Sequence, residues 1–304
     1  MALPLIFNPA AGHGRGAAAA KDVQARLQKA GVAAELVPTE RPGHATLLAA
    51  RLAETHDRVG VVGGDGTVSE AARGVLDLPP AQRPTLACFP AGTGNDFLRD
   101  FGILRVQDAV GAVAAGSIRA TDAVSVTCEG SIGNTESHTW SLNVVGTGLM
   151  ATAAERANRD WKWMGRKGYD VAAAIEILRN RPSPTRLDLD GERADGDYPL
   201  VAACNSVHTG GAMRLAPEAQ QDDGLLDVVT CSQVGPAELL ALLATKVRPG
   251  RHVEHPKVQV RRARDVYIAP ATPTAVNVDG EIAGRTPVRL RVHARALRIA
   301  APSA

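Results

Sequence analysis

Aromatic residues are scarce in this chain. Only 3 % of its 304 residues are Phe, Trp or Tyr, too few to build stacking platforms for single-stranded nucleic acid. A dominant charge is also missing. Thirty-four basic and 32 acidic side chains leave a net charge of +2, so nothing points to a dedicated nucleic-acid partner. Cys88, Cys128, Cys204 and Cys231 lie far apart, so no CxxC pair exists for zinc or redox work. Cys88 and Cys231 sit in apolar runs and read as buried thiols. That pattern fits a reducing cytosol. Long apolar runs are absent too. The longest, around 239–244, falls far short of the about 20 residues that span a bilayer. The start, Met1-Ala2-Leu3-Pro4-Leu5-Ile6-Phe7, has no basic leader and does not read as a signal peptide.

What is present is ordinary globular material. Apolar residues make up 45 % and charged residues 22 %, enough for real cores. The length suggests about two domains. Residues 3–7, 33–37, 58–62 and 85–89 read as strands. Residues 17–30 and 45–55 read as helices, the second with Leu47, Leu48 and Leu52 on one face and the first stopped at Gly31. This alternation predicts an α/β domain with an open, mostly parallel sheet whose ligands bind beyond the strands' carboxyl ends. Three glycine-rich turns fall there, at 8–16, 63–67 and 90–95. After about residue 123 the texture changes. Short strands are predicted at 123–128, 139–145, 185–189, 200–205, 225–231, 257–260 and 266–269, with helical inserts at 151–158, 169–179 and 237–246. Such a series suggests an antiparallel sandwich or barrel-like layer.

The richest motif is Gly63-Gly64-Asp65-Gly66-Thr67, between an apolar strand and a helix. That order points backbone N–H groups and a positive helix end at phosphate, and the glycines permit close approach. Asp65 is repulsive to phosphate unless it holds a cation or takes a proton, which suggests phosphoryl transfer with a metal nucleotide. A glycine-rich tight turn is the plainer reading. Asn8-Pro9-Ala10-Ala11-Gly12 suits a phosphate- or ribose-facing turn or an ordinary βα connection. In Pro90-Ala91-Gly92-Thr93-Gly94-Asn95-Asp96, Gly92, Thr93 and Gly94 can donate to phosphate, whereas Asn95 or Asp96 can simply N-cap a helix. Asp279-Gly280-Glu281 offers two carboxylates two apart, for a base and a metal or ribose contact. Asp-Gly is equally a turn signal, and spacing alone favours the turn. Gln220-Gln221-Asp222-Asp223-Gly224-Leu225 is an acidic loop fit for a hard cation or for a hairpin.

Together these motifs resemble the diacylglycerol kinase catalytic family, the soluble bacterial lipid kinases related to eukaryotic diacylglycerol, ceramide and sphingosine kinases. The matches run in order through Asn8-Pro9-x-x-Gly12, Pro42-Gly43-His44-Ala45, Gly63 to Thr67, Pro90-x-Gly92-Thr93-Gly94-Asn95-Asp96, Asp223-Gly224-Leu225-Leu226-Asp227 and Asp279-Gly280-Glu281. The Gly63 to Thr67 motif is shared with NAD kinases and, in variant form, phosphofructokinases. The Gly92 to Asp96 and Asp223 to Asp227 motifs are more specific.

The resemblance implies an N-terminal α/β nucleotide domain over 1–122, to which a tail at about 294–304 returns. It also implies a C-terminal β-sandwich lipid domain over 123–293, with the active site in the cleft. ATP and Mg²⁺ are the implied cofactors. Asn8, Gly12, Gly63, Gly64, Gly66, Thr67, Gly92 and Thr93, with Asn95, would cradle the nucleotide. Asp65 would organise metal or act as base, and Asp279, with Glu281 beside it, matches the family's other candidate base. Gln220, Asp223 and the Leu225 carbonyl match a structural cation site in bacterial relatives.

One departure concerns substrate. Relatives commonly carry an acidic residue soon after Gly146-x-Gly148, where Leu149-Met150-Ala151 stand here; in sphingosine kinases a carboxylate in this region contacts the substrate amine. Sphingosine is therefore disfavoured. The implied activity is ATP-dependent phosphorylation of diacylglycerol or a related neutral lipid. The rivals are an NAD kinase-like enzyme with a soluble substrate and a regulator that has lost catalysis. The expected location is cytoplasmic, peripheral to the inner face of the membrane, with no transmembrane segment. Residues 246–252 and 257–264 form a basic segment that suits an anionic surface or protects strand edges. Lys162, Arg166 and Lys167 suit the nucleotide or a solvated helix face, and Trp161, Trp163 and Met164 suit an interfacial wedge or a lid on a lipid cleft. The oligomeric state, a homodimer included, stays open.

Overall fold

Apolar runs without polar interruption make most strands of the first half interior ones. Leu3–Phe7 (β1) is buried at all five positions, as expected for a parallel strand covered on both faces. In the computed structural model of the chain, which describes every residue except 93, 131–135, 161–165, 180–181, 233 and 304, two units separate: Met1–Asp122 with Ala294–Ala304, and Ala123–His293.

In the first unit, β1 leads through α1 (Gly16–Lys29) to β2 (Ala34–Pro38), then α2 (His44–Ala53), β3 (Arg58–Gly63), α3 (Asp65–Leu76), β4 (Thr85–Pro90), α4 (Asp96–Arg99) and α5 (Val106–Ala115). The strands lie in the order β4-β3-β1-β2, all parallel, with Val59 opposite Leu86 and Leu5 opposite both Gly60 and Leu36. The chain's end adds a further parallel strand outside β4, with Arg298 opposite Thr85. Arg295 N–H donates to Asp122 Oδ1 at 2.6 Å and Arg83 Nη1 to the Ala296 carbonyl at 3.0 Å, which fixes that strand. Right-handed crossovers place α1 on one face of the sheet and α2 and α3 on the other.

The leucine stripe of α2 is not its core face. Leu47 is 55 % exposed, while Ala45 and Ala49 are fully buried. Close approach of α3 explains the inversion: a Cβ on Gly74 would lie 2.0 Å from the Thr46 carbonyl oxygen, so only small residues fit between the helices. Helix α5, VQDAVGAVAA, escapes sequence patterning because its alanines, valines and glycine give little contrast between faces.

The second unit comprises β5 (Ile118–Cys128, from Ala123 on), β6 (Ser137–Ser141), β7 (Val144–Gly148), α6 (Leu149–Asp160), α7 (Arg166–Arg179), β8 (Ser183–Leu189), β9 (Gly196–Tyr198), β10 (Leu200–Cys204), β11 (Leu226–Cys231), α8 (Pro236–Leu242), β12 (Val258–Ala263), β13 (Asp265–Pro270), β14 (Ala275–Val278), β15 (Glu281–Arg285) and β16 (Val288–Ala300, up to His293). One sheet runs β9-β8-β13-β16, with β5 and β6 continuing it; the other runs β12-β11-β10-β7-β14-β15. Val126, Leu187, Ile268 and Leu290 from the first sheet meet Val145, Val201, Val228 and Val276 from the second in one buried core. This is an antiparallel sandwich.

The single strand predicted over 139–145 is two strands. β6 pairs with β5 in one sheet, and β7 pairs with β10 in the other. No glycine or proline marks the break at Leu142-Asn143; a distant carboxylate imposes it. The strands β14, β15 and β16 go beyond the predicted series. All four cysteines are buried free thiols. Four cations of the basic segment have acidic partners: Lys257 pairs with Glu238 at 2.9 Å, Arg261 with Glu192 at 2.8 Å, Arg251 with Glu254 at 3.4 Å, and Arg262 with Asp223. Its strand β12 is a sheet edge, which matches the edge-protection reading. Among the described residues no helix is long and apolar enough to cross a membrane.

Gly74→Ala is expected to force α2 and α3 apart and lower folding stability by about 1–3 kcal/mol. Gly111→Ala, in α5 with open space around its Cβ, is expected to raise it by about 0.5–1 kcal/mol. Urea denaturation of the two variants checks both signs.

Candidate active site

Parallel strands deliver their carboxyl ends to one edge of a sheet, so the turns after β1, β3 and β4 converge. Asn8, which ends β1, accepts Ala10 N–H on Oδ1 at 2.9 Å, closing its own turn. Gly12 takes φ +60°, and a Cβ on Gly16 would lie 2.0 Å from the Asn8 carbonyl oxygen. After β3 the helix begins at Asp65 itself, so the true turn is Gly63-Gly64. Glycine at 63 lets Thr67 fold back onto the strand end, where a Cβ would meet the Thr67 Cβ at 2.6 Å. The β3 and β4 turns touch: a Cβ on Gly92 would stand 2.4 Å from Gly64 Cα. Gly66 has open space around it. Thr93 lies outside the described residues, as do Trp161, Lys162, Trp163 and Met164; the side chains of Arg166 and Lys167 are likewise undescribed.

Asp65 bridges the two turns. Its Oδ1 accepts Phe97 N–H at 3.3 Å, and Gly94 leaves room for its Oδ2, which a Cβ there would approach to 2.7 Å. Burial pushes its carboxyl above the ordinary range, with Asp96 nearby adding to the rise, while N–H groups of residues 95–97 oppose it. Asn95 holds the N-cap position of α4 in a left-handed conformation at φ 55°, yet no side-chain cap forms. Asn95 Nδ2 donates instead to the Gly92 carbonyl at 2.9 Å. Its Oδ1 is buried without a hydrogen-bond partner among the described residues, an acceptor left at the junction of the two turns.

A cleft of about 460 Å³ opens beside these turns, lined by Asn8, Pro9, Ala10, Thr39, Glu40, Arg41, Pro42, Ala45, Thr67 and Glu70. Thr39, Glu40 and Arg41 were not singled out by sequence reasoning. Their signal is position, immediately after the carboxyl end of β2. Glu70 ties this wall in place: its Oε2 accepts Gly43 N–H at 3.1 Å and its carbonyl accepts Thr46 Oγ1 at 2.8 Å.

In the second unit, Asp279 and Gly280 form the two-residue turn between β14 and β15, with Val278 opposite Glu281. Both turn residues have positive φ, 51° and 97°, the signature of a type I′ turn. The Asp279 carboxylate is heavily engaged. Oδ1 accepts Ser141 Oγ at 2.7 Å and the N–H groups of Asn143 and Val144 at 3.0 Å each; Oδ2 accepts Leu142 N–H at 2.9 Å. This is the carboxylate that breaks 139–145 into two strands. Glu281 stands exposed at the start of β15.

In the 220–225 loop the Asp223 carboxylate is engaged on both oxygens. Asp223 Oδ1 accepts Leu225 N–H at 3.0 Å, and Oδ2 faces the Arg262 guanidinium. Gln220 lines a small polar cavity with Glu218, Asp227 and Arg262. Among the described residues no three His, Cys, Asp or Glu side chains gather to hold a metal.

The second unit also contains an apolar chamber, walled by Met150, Ala153, Ile177, Leu239, Leu242 and Leu243 among others. Thr209, Thr230, His252 and the Tyr169 hydroxyl are its polar points, and among the described residues no carboxylate lines it. His252 is 4 % exposed; its Nε2 lies 3.0 Å from the Leu215 carbonyl, and burial holds its imidazole below the usual range, hence neutral. Leu149 and Met150 are part of this wall.

Comparison with known proteins agrees with these features. Residues 2–126 match the family model of the diacylglycerol kinase catalytic domain, and residues 143–301 match that of the YegS C-terminal NAD kinase beta sandwich-like domain. A diacylglycerol kinase of Mycobacterium tuberculosis is 34 % identical over 98 % of this chain and 94 % of its own length. One from Staphylococcus saprophyticus is 28 % identical over 93 % of this chain and 90 % of its own. The crystal structure of a diacylglycerol kinase from Bacillus anthracis superposes with a TM-score of 0.75 at 22 % identity, covering 99 % of this chain and 97 % of that one, which shows the shared fold.

Asp279→Ala is expected to strand three backbone N–H groups and a hydroxyl, each orphaned donor costing about 1–3 kcal/mol. Stability by chemical denaturation should therefore fall by at least about 3 kcal/mol. An Asp279→Ala protein as stable as the parent would remove this structural role.

Proposed function

The chain belongs to the diacylglycerol kinase catalytic family and is a kinase, and we propose that it transfers the γ-phosphoryl of MgATP to a hydroxyl of diacylglycerol or a related neutral lipid. The observation that carries the lipid reading is the apolar chamber of the second unit. A water-soluble acceptor has no use for a wall of leucine, alanine and methionine. Among the described residues a cationic sphingoid base would find no carboxylate there to pair with, which favours an uncharged lipid.

The nucleotide belongs to the first unit. Backbone N–H groups of the β1, β3 and β4 turns would bind its phosphates, and Thr39 to Arg41, which line the cleft, would contact the rest of the nucleotide. Such fixed donors stabilise charge that develops on the transferring group. Mg²⁺ arrives with the nucleotide as part of the substrate.

In the reaction the lipid hydroxyl oxygen forms a bond to the γ-phosphorus, the bond from that phosphorus to the β,γ-bridging oxygen breaks, ADP departs, and the hydroxyl proton passes to a base. Asp279 is poorly suited to that task, because its lone pairs already serve four donors. Glu281, two residues on and exposed, is the base we assign. Asp65 positions the phosphate turns, and its carboxylate would hold the Mg²⁺ of the nucleotide.

With γ-labelled ATP, Mg²⁺ and mixed micelles, label is expected in diacylglycerol or monoacylglycerol, and not in sphingosine or NAD. Glu281→Gln is expected to lower kcat by about 10²–10⁴-fold with stability unchanged. Label in NAD alone, or in no acceptor at all, would sink the lipid kinase reading in favour of a soluble-substrate kinase or an inactive regulator.

Ala153→Phe fills the chamber. Overpacking of about 1–3 kcal/mol should raise the lipid KM by about tenfold or more while leaving the KM for ATP unchanged. Steady-state kinetics in both substrates checks the separation.

A further inference from the structure

Asp223 is the side chain on which a cation at the 220–225 loop would depend, and both its oxygens are engaged. Oδ1 accepts Leu225 N–H at 3.0 Å, closing the loop on itself. Oδ2 accepts from Arg262 Nη2. The position of Arg262 is set by the sheet. It lies on β12 directly opposite Asp227 of β11 in the antiparallel ladder, where facing Cβ atoms stand about 4.5–5.5 Å apart. Its Nε is 3.9 Å from Asp227 Oδ2, on a side chain only 5 % exposed. That oxygen has no hydrogen-bond partner among the described residues, and the guanidinium is the cation it pairs with. Arg262 thus faces two carboxylates on one side of the small polar cavity that Gln220 and Glu218 complete.

A guanidinium is a permanent cation with a planar fork of donors, suited to pairs of carboxylates. A divalent cation bound to Asp223 and Gln220 would have to share Asp223 Oδ2 with a like charge already in contact. We propose that Arg262 is an internal cation that closes the 220–225 loop in place of a divalent metal. The consequence reaches the chamber. β11 follows this loop directly, and its Val229, Thr230 and Cys231 line the chamber wall. That wall then forms independently of metal supply, and the resemblance's structural cation is replaced by a side chain.

The test uses nucleotide-free protein and does not depend on kinase activity. Metal-stripped wild type is unfolded thermally in EDTA and in millimolar Mg²⁺, and Mn²⁺ binding is titrated by electron paramagnetic resonance. The expected result is the same midpoint in both buffers and no Mn²⁺ ion that depends on Asp223; an ion retained in Asp223→Asn lies elsewhere and agrees with the proposal. Arg262→Gln should lower the midpoint by several degrees, and Mg²⁺ should then restore part of the loss. Arg262→Lys, which keeps the charge, should retain most of the midpoint. One Mn²⁺ bound per wild-type chain and lost in Asp223→Asn would overturn the proposal, as would an Arg262→Gln protein with the wild-type midpoint. If Arg262→Gln does not fold, the wild-type titration decides alone.

Discussion

Parallel pairing of β4, β3, β1 and β2 is the constraint on which the nucleotide half of this protein rests. Parallel neighbours cannot be joined by tight hairpins, so each strand must return through a crossover. Every carboxyl end then falls on the same edge. Asn8, Gly63-Gly64 and Gly92, separated by dozens of residues, become neighbours for that reason alone. The contact between Gly64 and Gly92 tightens the arrangement until no Cβ fits. Asp65, lodged between the turns, accepts an N–H from the far side. The loop chemistry follows from the sheet, and the glycines permit it.

The second unit solves a different problem. Two antiparallel sheets share one core of small and branched apolar side chains, and the chain must cross from one sheet to the other without exposing backbone donors. Asp279 makes one such crossing possible by accepting three successive N–H groups at 142–144. The same turn presents Glu281 to solvent. A scaffold carboxylate and a candidate base therefore come from one Asp-Gly-Glu tripeptide. Leu149 and Met150, following β7, then lead the chain into the wall of the apolar chamber.

Much of this was legible in the residues. The strands at 3–7, 58–62 and 85–89 stand where uninterrupted apolar runs place them, because burial on both faces leaves no room for polar alternation. The plainer reading of Asp279-Gly280 as a turn holds, since Asp-Gly tolerates the positive φ that the hairpin requires. Other features were hidden. The Leu47 stripe promised a core face that Gly74 denies it, a decision made by the distance between two helices. The break at 142–143 carries no local signal, because its cause lies about 137 residues downstream in sequence. Helix α5 lacks the contrast between faces on which periodicity depends.

The sequence by itself determined the strand and helix alternation of the first half as far as β4, the glycine turns, the family and the candidate carboxylates, because these depend on local backbone freedom and on residue types at fixed spacing. Tertiary structure alone decided which carboxylate is spent on structure and which side chains wall the chamber. It also decided that Arg262 faces Asp223 and Asp227. Each of these depends on which atoms approach across the fold, and hydrogen bonds and ion pairs act only at such contact.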